Sequence, residues 1–291
     1  MAEIVSAKIG SHGFEYGVKH FVNPQAGYLS DIICEILKLE KQTVLDLLNL
    51  GAIYIDNYRQ DEDQRIKENK LFRVHTKPRR HFTAHDWSQL IVFEDADFLI
   101  LNKPSGIPSH AGVDNKIDNS LYQTERARHI KLYITHRLDT LTEGLIVYGK
   151  TQRFVNSFNQ QIKNRQIKKK YVALVETTET LPKKLVHYME SSLRAPKKVT
   201  EYFQEKSALC ELEIENQVIQ NNLSWIRINL LTGRTHQIRA QTSAMKAPIV
   251  GDKLYGSVLE RSNNSIALRA CEIEFLWNER AYQFQLSEDF T

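Results

Sequence analysis

The chain has 291 residues, enough for one large domain or two, and its 42% hydrophobic and 25% charged residues are ordinary for a globular protein. No run of about 18 apolar residues occurs, so no membrane span is expected, and the start lacks a basic stretch followed by an apolar core, so no secretory signal is expected. A net charge of +4 suits nucleic-acid binding without requiring it, and three scattered cysteines, Cys34, Cys210 and Cys271, lack metal-ligand or disulfide-framework spacing and point to a reducing, cytoplasmic compartment.

Residues 1–27 hold Gly, His and aromatics without periodicity and read as loop or extension. Leu29, Ile32, Ile33, Ile36 and Leu37 then follow helical spacing, so 28–39 is predicted as an amphipathic helix. A second helix is predicted over 42–50, with Gly51 where a helix end wants a left-handed residue. Strands are predicted over 52–56 and 71–74, with a polar turn beginning at Asn57-Tyr58. Residues 28–75 thus form a small α/β lobe. Lys77-Pro78-Arg79-Arg80-His81 breaks regular structure, and 76–88 reads as a linker whose cations either meet phosphate or are solvated.

The apolar runs Ile91–Phe93 and Phe98–Leu101, separated by an acidic turn, predict a hairpin. It leads into the turn Asn102-Lys103-Pro104-Ser105-Gly106, a polar loop over 107–119, and a helix over 120–130. Strand-like runs from Leu132 to Ile134 and Leu145 to Tyr148 then bracket a polar knot with one imidazole, one guanidinium and two carboxylates. Asp139, close in sequence to Arg137, is either an ionised carboxylate available as nucleophile or base, or a turn residue bonding its own backbone. A helix is predicted over 150–166 with Phe154, Val155, Phe158 and Ile162 on one face, then a strand over 167–175 that carries Tyr171. Arg194, Lys197 and Lys198 add positive charge near a turn, and strands are expected around 212–214 and 224–230. In Leu231–Ala240, Gly233 permits a tight turn, Thr235 can cap the following helix, and Arg234 sits at a corner from which it could reach a carboxylate or phosphate, or form a structural salt bridge.

His136-Arg137-Leu138-Asp139-x-x-Thr142-x-Gly144 resembles the catalytic motif of the RluA family of pseudouridine synthases. Four further stretches resemble that family's segments, in order, across about 91–276: Glu94-Asp95 through Asn102-Lys103-Pro104-x-Gly106; Lys169-x-Tyr171-x-Ala173-x-Val175; Thr232-Gly233-Arg234-Thr235-His236-Gln237-Ile238-Arg239 with its extension Pro248 to Gly256; and the closing strands from Ile266. The order helix, helix, Gly, strand, turn, strand in 28–75 is similar to a small RNA-binding module first seen in a small-subunit ribosomal protein. The resemblance implies an α+β fold. Residues 89–291 would form a pseudouridine synthase domain around a mainly antiparallel sheet, preceded by a small RNA-binding lobe.

The implied activity is isomerisation of uridine in RNA, ribosomal or transfer, with the target base flipped out of its stack. No cofactor and no metal are implied, and the protein is expected to be a monomer with RNA as its partner. By similarity Asp139 is the essential carboxylate, Arg234 pairs with it, and Tyr171 contacts the target base. Arg137 would fill the space left by the flipped base, while His136, Lys103, Lys169, Gln237 and Arg239 would support or contact RNA. Two departures stand out: Glu143 occupies a place where a small Ser is usual and is expected to face solvent, and Ala240-Gln241 replaces a common Val-His pair. Two rivals remain at this point, a non-catalytic RNA-binding or ribosome-assembly protein and a hydrolase using Asp139 and His136.

Overall fold

The computed structural model describes residues 5–6, 17–192, 195–261 and 265–290. Arg194 and most of the stretch read as an N-terminal loop or extension lie outside the described residues. The chain forms two compact units, Met1–Thr83 with His110–Gln123, and Ala84–Ser109 with Thr124–Thr291. The segment 110–123, expected within the large domain, therefore belongs to the small one.

The first unit contains β1 (Val5–Ser6), β2 (Val18–Val22), β3 (Gly27–Tyr28), α1 (Leu29–Leu37), α2 (Lys41–Asn49), β4 (Ile53–Ile55), β5 (Tyr58–Arg59), β6 (Arg65–Ile66) and β7 (Leu71–His75). Its antiparallel sheet runs β1-β2-β7-β4-β5, and β3 pairs with β6 separately. The apolar stripe of α1 and the leucines of α2 pack on Phe21, Ile53, Phe72 and Val74. Gly51 ends α2 at φ +69, and the Gly51 and Ala52 N–H groups donate to Leu48 and Leu47, both at 2.9 Å. A side chain at this φ would be strained, so glycine is required. Strand β2 corrects the loop expectation for its region: Val18 and Phe21 are buried three residues apart, so no two-residue alternation marks the strand. Arg79 and Arg80, expected in a linker that was either phosphate-contacting or solvated, pair at 2.7 Å with the buried carboxylates of Asp114 and Asp118. Burial alone would raise both carboxyl pKa values, but the hydrogen bonds outweigh it and both are lowered.

The second unit holds β8 (Ile91–Glu94), β9 (Phe98–Lys103), β10 (Tyr133–Ile134), β11 (Glu143–Gly149), α4 (Gln152–Lys163), β12 (Lys168–Val175), β13 (Lys184–Met189), β14 (Val199–Thr200), β15 (Ala208–Gln220), β16 (Leu223–Leu230), α5 (Gln237–Ala244), β17 (Leu268–Trp277) and β18 (Arg280–Gln285), with α3 (Ser120–Arg128) entering it from the preceding segment. Eleven strands form one sheet in the order β14-β13-β15-β16-β12-β17-β11-β9-β8, with β10 on β11 and β18 on β17. Every pairing is antiparallel except β11 with β17. Phe98, Phe154, Phe158 and Phe275 fill the core between α4 and the sheet, with Phe98 and Phe154 stacked at 4.7 Å. Gly144 sits at φ +109 where β11 meets β17, and a side chain there would overlap the Ala270 carbonyl. That close approach brings the start of β11, and the loop before it, against β17.

Candidate active site

Asp139 lies in the loop between β10 and β11, and three backbone carbonyls of that loop are held from the turn after β9. Ser109 Oγ donates to Leu138 O at 2.8 Å, Lys103 Nζ to Thr140 O at 3.3 Å, and Ser105 Oγ to Leu141 O at 2.7 Å. The Asn-Lys-Pro-x-Gly turn is thus a brace for the loop that carries Asp139. Lys103, expected to meet RNA, is fully buried, and its ammonium also donates to Pro104 O and Ile107 O, both at 2.8 Å. Burial drags its pKa down to about 7, opposed by the charges of Asp139 and Glu143. Three carbonyl acceptors demand three N–H donors, so the cationic form fits this setting.

His136 is likewise structural. Its Nε2 accepts the Val147 N–H at 3.1 Å, and its ring stacks on Phe158. Burial, helped by the charge of Lys169, pushes its pKa to about 3, so the imidazole is neutral with its lone pair engaged. This corrects its expected RNA-contacting role and removes the base that a hydrolase would need. Arg137, the adjacent residue, is exposed and forms no ion pair among the described residues.

Glu143 does not face solvent. It is 2% exposed and accepts from Arg269 Nη1 at 2.8 Å, an ion pair across the parallel β11–β17 register. A carboxylate at the head of a buried strand can persist only with such a partner.

The expected partnership of Arg234 with Asp139 is replaced by another. Arg234 is exposed, and among the described residues its Nε reaches Leu209 O, at 3.5 Å, and no carboxylate. Arg239, one helical turn further on, is 3% exposed, and its Nη1 lies 3.7 Å from Asp139 Oδ2. The rest of its guanidinium is held by Asp252 at 2.6 and 2.9 Å and lies over the Tyr255 ring at 4.8 Å. Burial would lower the Arg239 pKa, but Asp252 and then Asp139 outweigh it and hold the charge. The geometry follows from α5: a side chain at the strand-to-helix corner points outward, whereas one inside the first turn faces the sheet.

The cap of α5 also differs from expectation. His236, not Thr235, is the N-cap, in left-handed geometry and without a side-chain cap bond. Gln237, expected to contact RNA, is buried with both amide ends occupied: Oε1 accepts from Thr232 Oγ1 and the Arg234 N–H, and Nε2 donates to Glu211 O and Gln241 Oε1. Lys169 sits partly buried at the entry of β12 with its Nζ beside Gly233, and burial lowers its pKa.

Tyr171 follows a register shift between Lys170 and Tyr171, the kind of irregularity that re-aims a side chain beside a site. Ala270 of β17 pairs with Gly144 on one side and Tyr171 on the other, so the phenol and the Asp139 loop flank one point of the sheet. Burial first, then the negative charge of Asp139, raises the Tyr171 pKa, so the group is a protonated phenol. His236 completes the group, with Nε2 at 3.9 Å from Asp139 Oδ2 and Nδ1 at 3.0 Å from the Tyr255 hydroxyl. His236, Asp252 and Tyr255 lie inside the motif segments, and no role was expected of them. Their signal was spacing: Arg239 and Asp252 belong to a single stretch that returns to the same end of the sheet. Among the described residues no three His, Cys, Asp or Glu side chains converge as a metal ion would require.

A partly exposed carboxylate, a buried guanidinium and a buried phenol converge here around the central strands β11, β17 and β12. Comparison with known proteins gives this arrangement a family. The sequence profile described as RNA pseudouridylate synthase matches residues 97–244, just over half of the chain. The chain is 32% identical over 221 residues to RNA pseudouridine synthase 6, chloroplastic, of Oryza sativa subsp. japonica, covering 67% of this chain and 46% of that protein. It therefore spans about half the length of that curated relative. It is 29% identical over 242 residues to ribosomal large subunit pseudouridine synthase C of Buchnera aphidicola, covering 75% of this chain and 73% of the relative. The solved structure of human RNA pseudouridylate synthase domain containing 1 superposes with a TM-score of 0.55 at 23% identity, over 68% of this chain and 82% of that one, a likeness of fold. The chain belongs to the RNA pseudouridylate synthase family.

Proposed function

We propose that the protein isomerises particular uridines in RNA to pseudouridine, with Asp139 as the essential carboxylate, Arg239 as its fixed counter-ion and Tyr171 as the phenol facing the target base. The observation that carries this proposal is the convergence of Asp139 and Arg239 at 3.7 Å, beside Tyr171, in a chain of this family. In the reaction the N1–C1′ bond breaks, C5 bonds to C1′, the C5 proton leaves and N1 takes up a proton, which requires the nucleotide to leave its stack at a cost of about a few kcal/mol. A preorganised ion pair can hold the carboxylate in place without reorganisation as charge develops. Exposed Arg137, next to Leu138-Asp139, is suited to occupy the vacated stack.

Ribosomal RNA is the substrate class we favour, because the Buchnera relative is named for the large ribosomal subunit. The helix-helix-strand unit at the N-terminus is proposed to add RNA affinity. Three unpaired cysteines suit a reducing cytoplasm, and a monomer is proposed, to be checked by sedimentation. The test is tritium release from RNA labelled at uridine C5 and drawn from cells lacking the gene. Wild type should release tritium and Asp139→Asn should not. Salt-sensitive RNA binding without release by wild type would instead favour a non-catalytic RNA-binding protein. Equal release by both would sink the assignment of Asp139.

A further inference from the structure

His236 stands in left-handed backbone, φ 58, as the residue opening α5. Such a conformation outside glycine is uncommon and persists only where the surroundings over-determine it. What surrounds this imidazole is specific. The Tyr255 hydroxyl accepts the Lys197 N–H at 2.7 Å and lies 3.0 Å from His236 Nδ1. A phenol has one proton to give. Burial raises the Tyr255 pKa to about 12, so that proton is present, and its acceptor in this geometry is Nδ1. The ring proton then resides on Nε2, the nitrogen that faces Asp139 Oδ2 at 3.9 Å.

Arg239 Nη1 approaches the same oxygen at 3.7 Å. Two N–H groups from the start of α5 thus lie within 4 Å of Oδ2, which leaves Oδ1 for the reacting atoms. Both distances exceed a hydrogen bond, as is common in ligand-free catalytic sites. The charged groups that face His236 are Asp139, Arg239, Asp252 and Lys197. Burial and the two cations lower its pKa while the two carboxylates oppose them, so a neutral ring acting as N–H donor is the resting form.

We propose that His236 is a positioning residue for Asp139: the Tyr255 hydroxyl sets its tautomer, and its Nε2–H, with Arg239, anchors Oδ2 so that Oδ1 is presented to the substrate. This inference rests on Asp139 as the essential carboxylate, and two kinds of measurement keep the two ideas apart. The first needs no activity. Nitrogen-15 NMR of the full chain without RNA should show His236 as the Nε2–H tautomer, and Asp139→Asn should lower its titration midpoint, because a carboxylate that stabilises the protonated ring is gone. A Nδ1–H ring, or a midpoint that does not move, overturns the proposal.

The second is kinetic. Asparagine tolerates left-handed backbone but is too short to reach Asp139, so His236→Asn should keep the fold and RNA affinity while lowering kcat about 10- to 100-fold, the range for a lost hydrogen bond to a charged group. His236→Gln, which can place an N–H near Nε2, should recover part of that loss. A kcat for His236→Asn within twofold of wild type would overturn the proposal. If wild type releases no tritium while the NMR result holds, the isomerase reading falls and the His236–Asp139 contact stands.

Discussion

Replacing Glu143 tests how the Asp139 loop is anchored. Glu143 and Arg269 are 2% and 3% exposed and paired at 2.8 Å, and Arg269 Nε lacks a hydrogen-bond partner among the described residues. Glu143→Gln leaves a guanidinium buried without its counter-ion, and breaking a buried pair from one side costs about 3–5 kcal/mol. The amide oxygen can still accept one bond, so the lower end, about 3 kcal/mol, applies; Glu143→Ala should approach the upper end. For a unit of this size about 2–4 °C of Tm accompanies each kcal/mol, so Tm should fall by about 6–12 °C for Glu143→Gln.

The assay is urea unfolding followed by tryptophan fluorescence. Trp87, Trp225 and Trp277 all lie in the second unit, so the signal reports that unit alone. The paired replacement Glu143→Leu with Arg269→Met removes both charges and should unfold within about 1 kcal/mol of wild type or above it, since an apolar pair avoids desolvation. The double-mutant cycle should therefore show strong coupling. A loss below about 1 kcal/mol in Glu143→Gln, or a paired variant as unstable as the single ones, would refute the view that this ion pair holds the start of β11 to β17.

Other expectations follow from the same geometry. Arg239→Ala should reduce tritium release at least about 100-fold with RNA affinity retained, whereas Arg234→Ala should stay within a few-fold, because only Arg239 reaches Asp139. Lys103→Met should leave the salt dependence of RNA binding unchanged yet lower stability, since its donors serve internal carbonyls; a salt slope reduced by about one would restore a phosphate contact. His136 is about 3 in the folded chain against 6.5 in the ordinary range, so the unfolded chain binds more protons between these values. Its contribution is complete above pH 6.5 and is lost as pH falls toward 3. His75, pushed by burial to about 4, acts in the same direction, so the diagnostic is a shallower acid slope in His136→Gln than in wild type.

Helices α1, α2 and α4 were legible because their buried residues recur at helical spacing, and β16 because Ser224, Ile226, Ile228 and Leu230 alternate inward. The short β2 escaped, since its partner β7 lies some fifty residues away and its own pattern does not alternate. Among the site residues, motif order marked Asp139, Tyr171 and the stretch around Arg239, but it assigned the pairing to the wrong arginine. Local sequence says which side chains are charged, not which face of α5 turns inward.

Lys103, His136 and Gln237 show the same limit. Each is a polar residue in a motif, so exposure and RNA contact looked natural, yet Lys103 and Gln237 are buried, and His136 half-buried, with their polar atoms engaged by backbone or amide groups. Glu143 is the clearest case. Its partner is 126 residues away and exists only because β11 and β17 run parallel with Glu143 opposite Arg269. By itself the sequence determined the family, most of the helices and strands, and the motif that nominates Asp139 as the reactive carboxylate, because these depend on local periodicity and on motif identity. Which charge meets which was decided by the tertiary structure, because burial and pairing energies depend on distances that only strand order and helix orientation set.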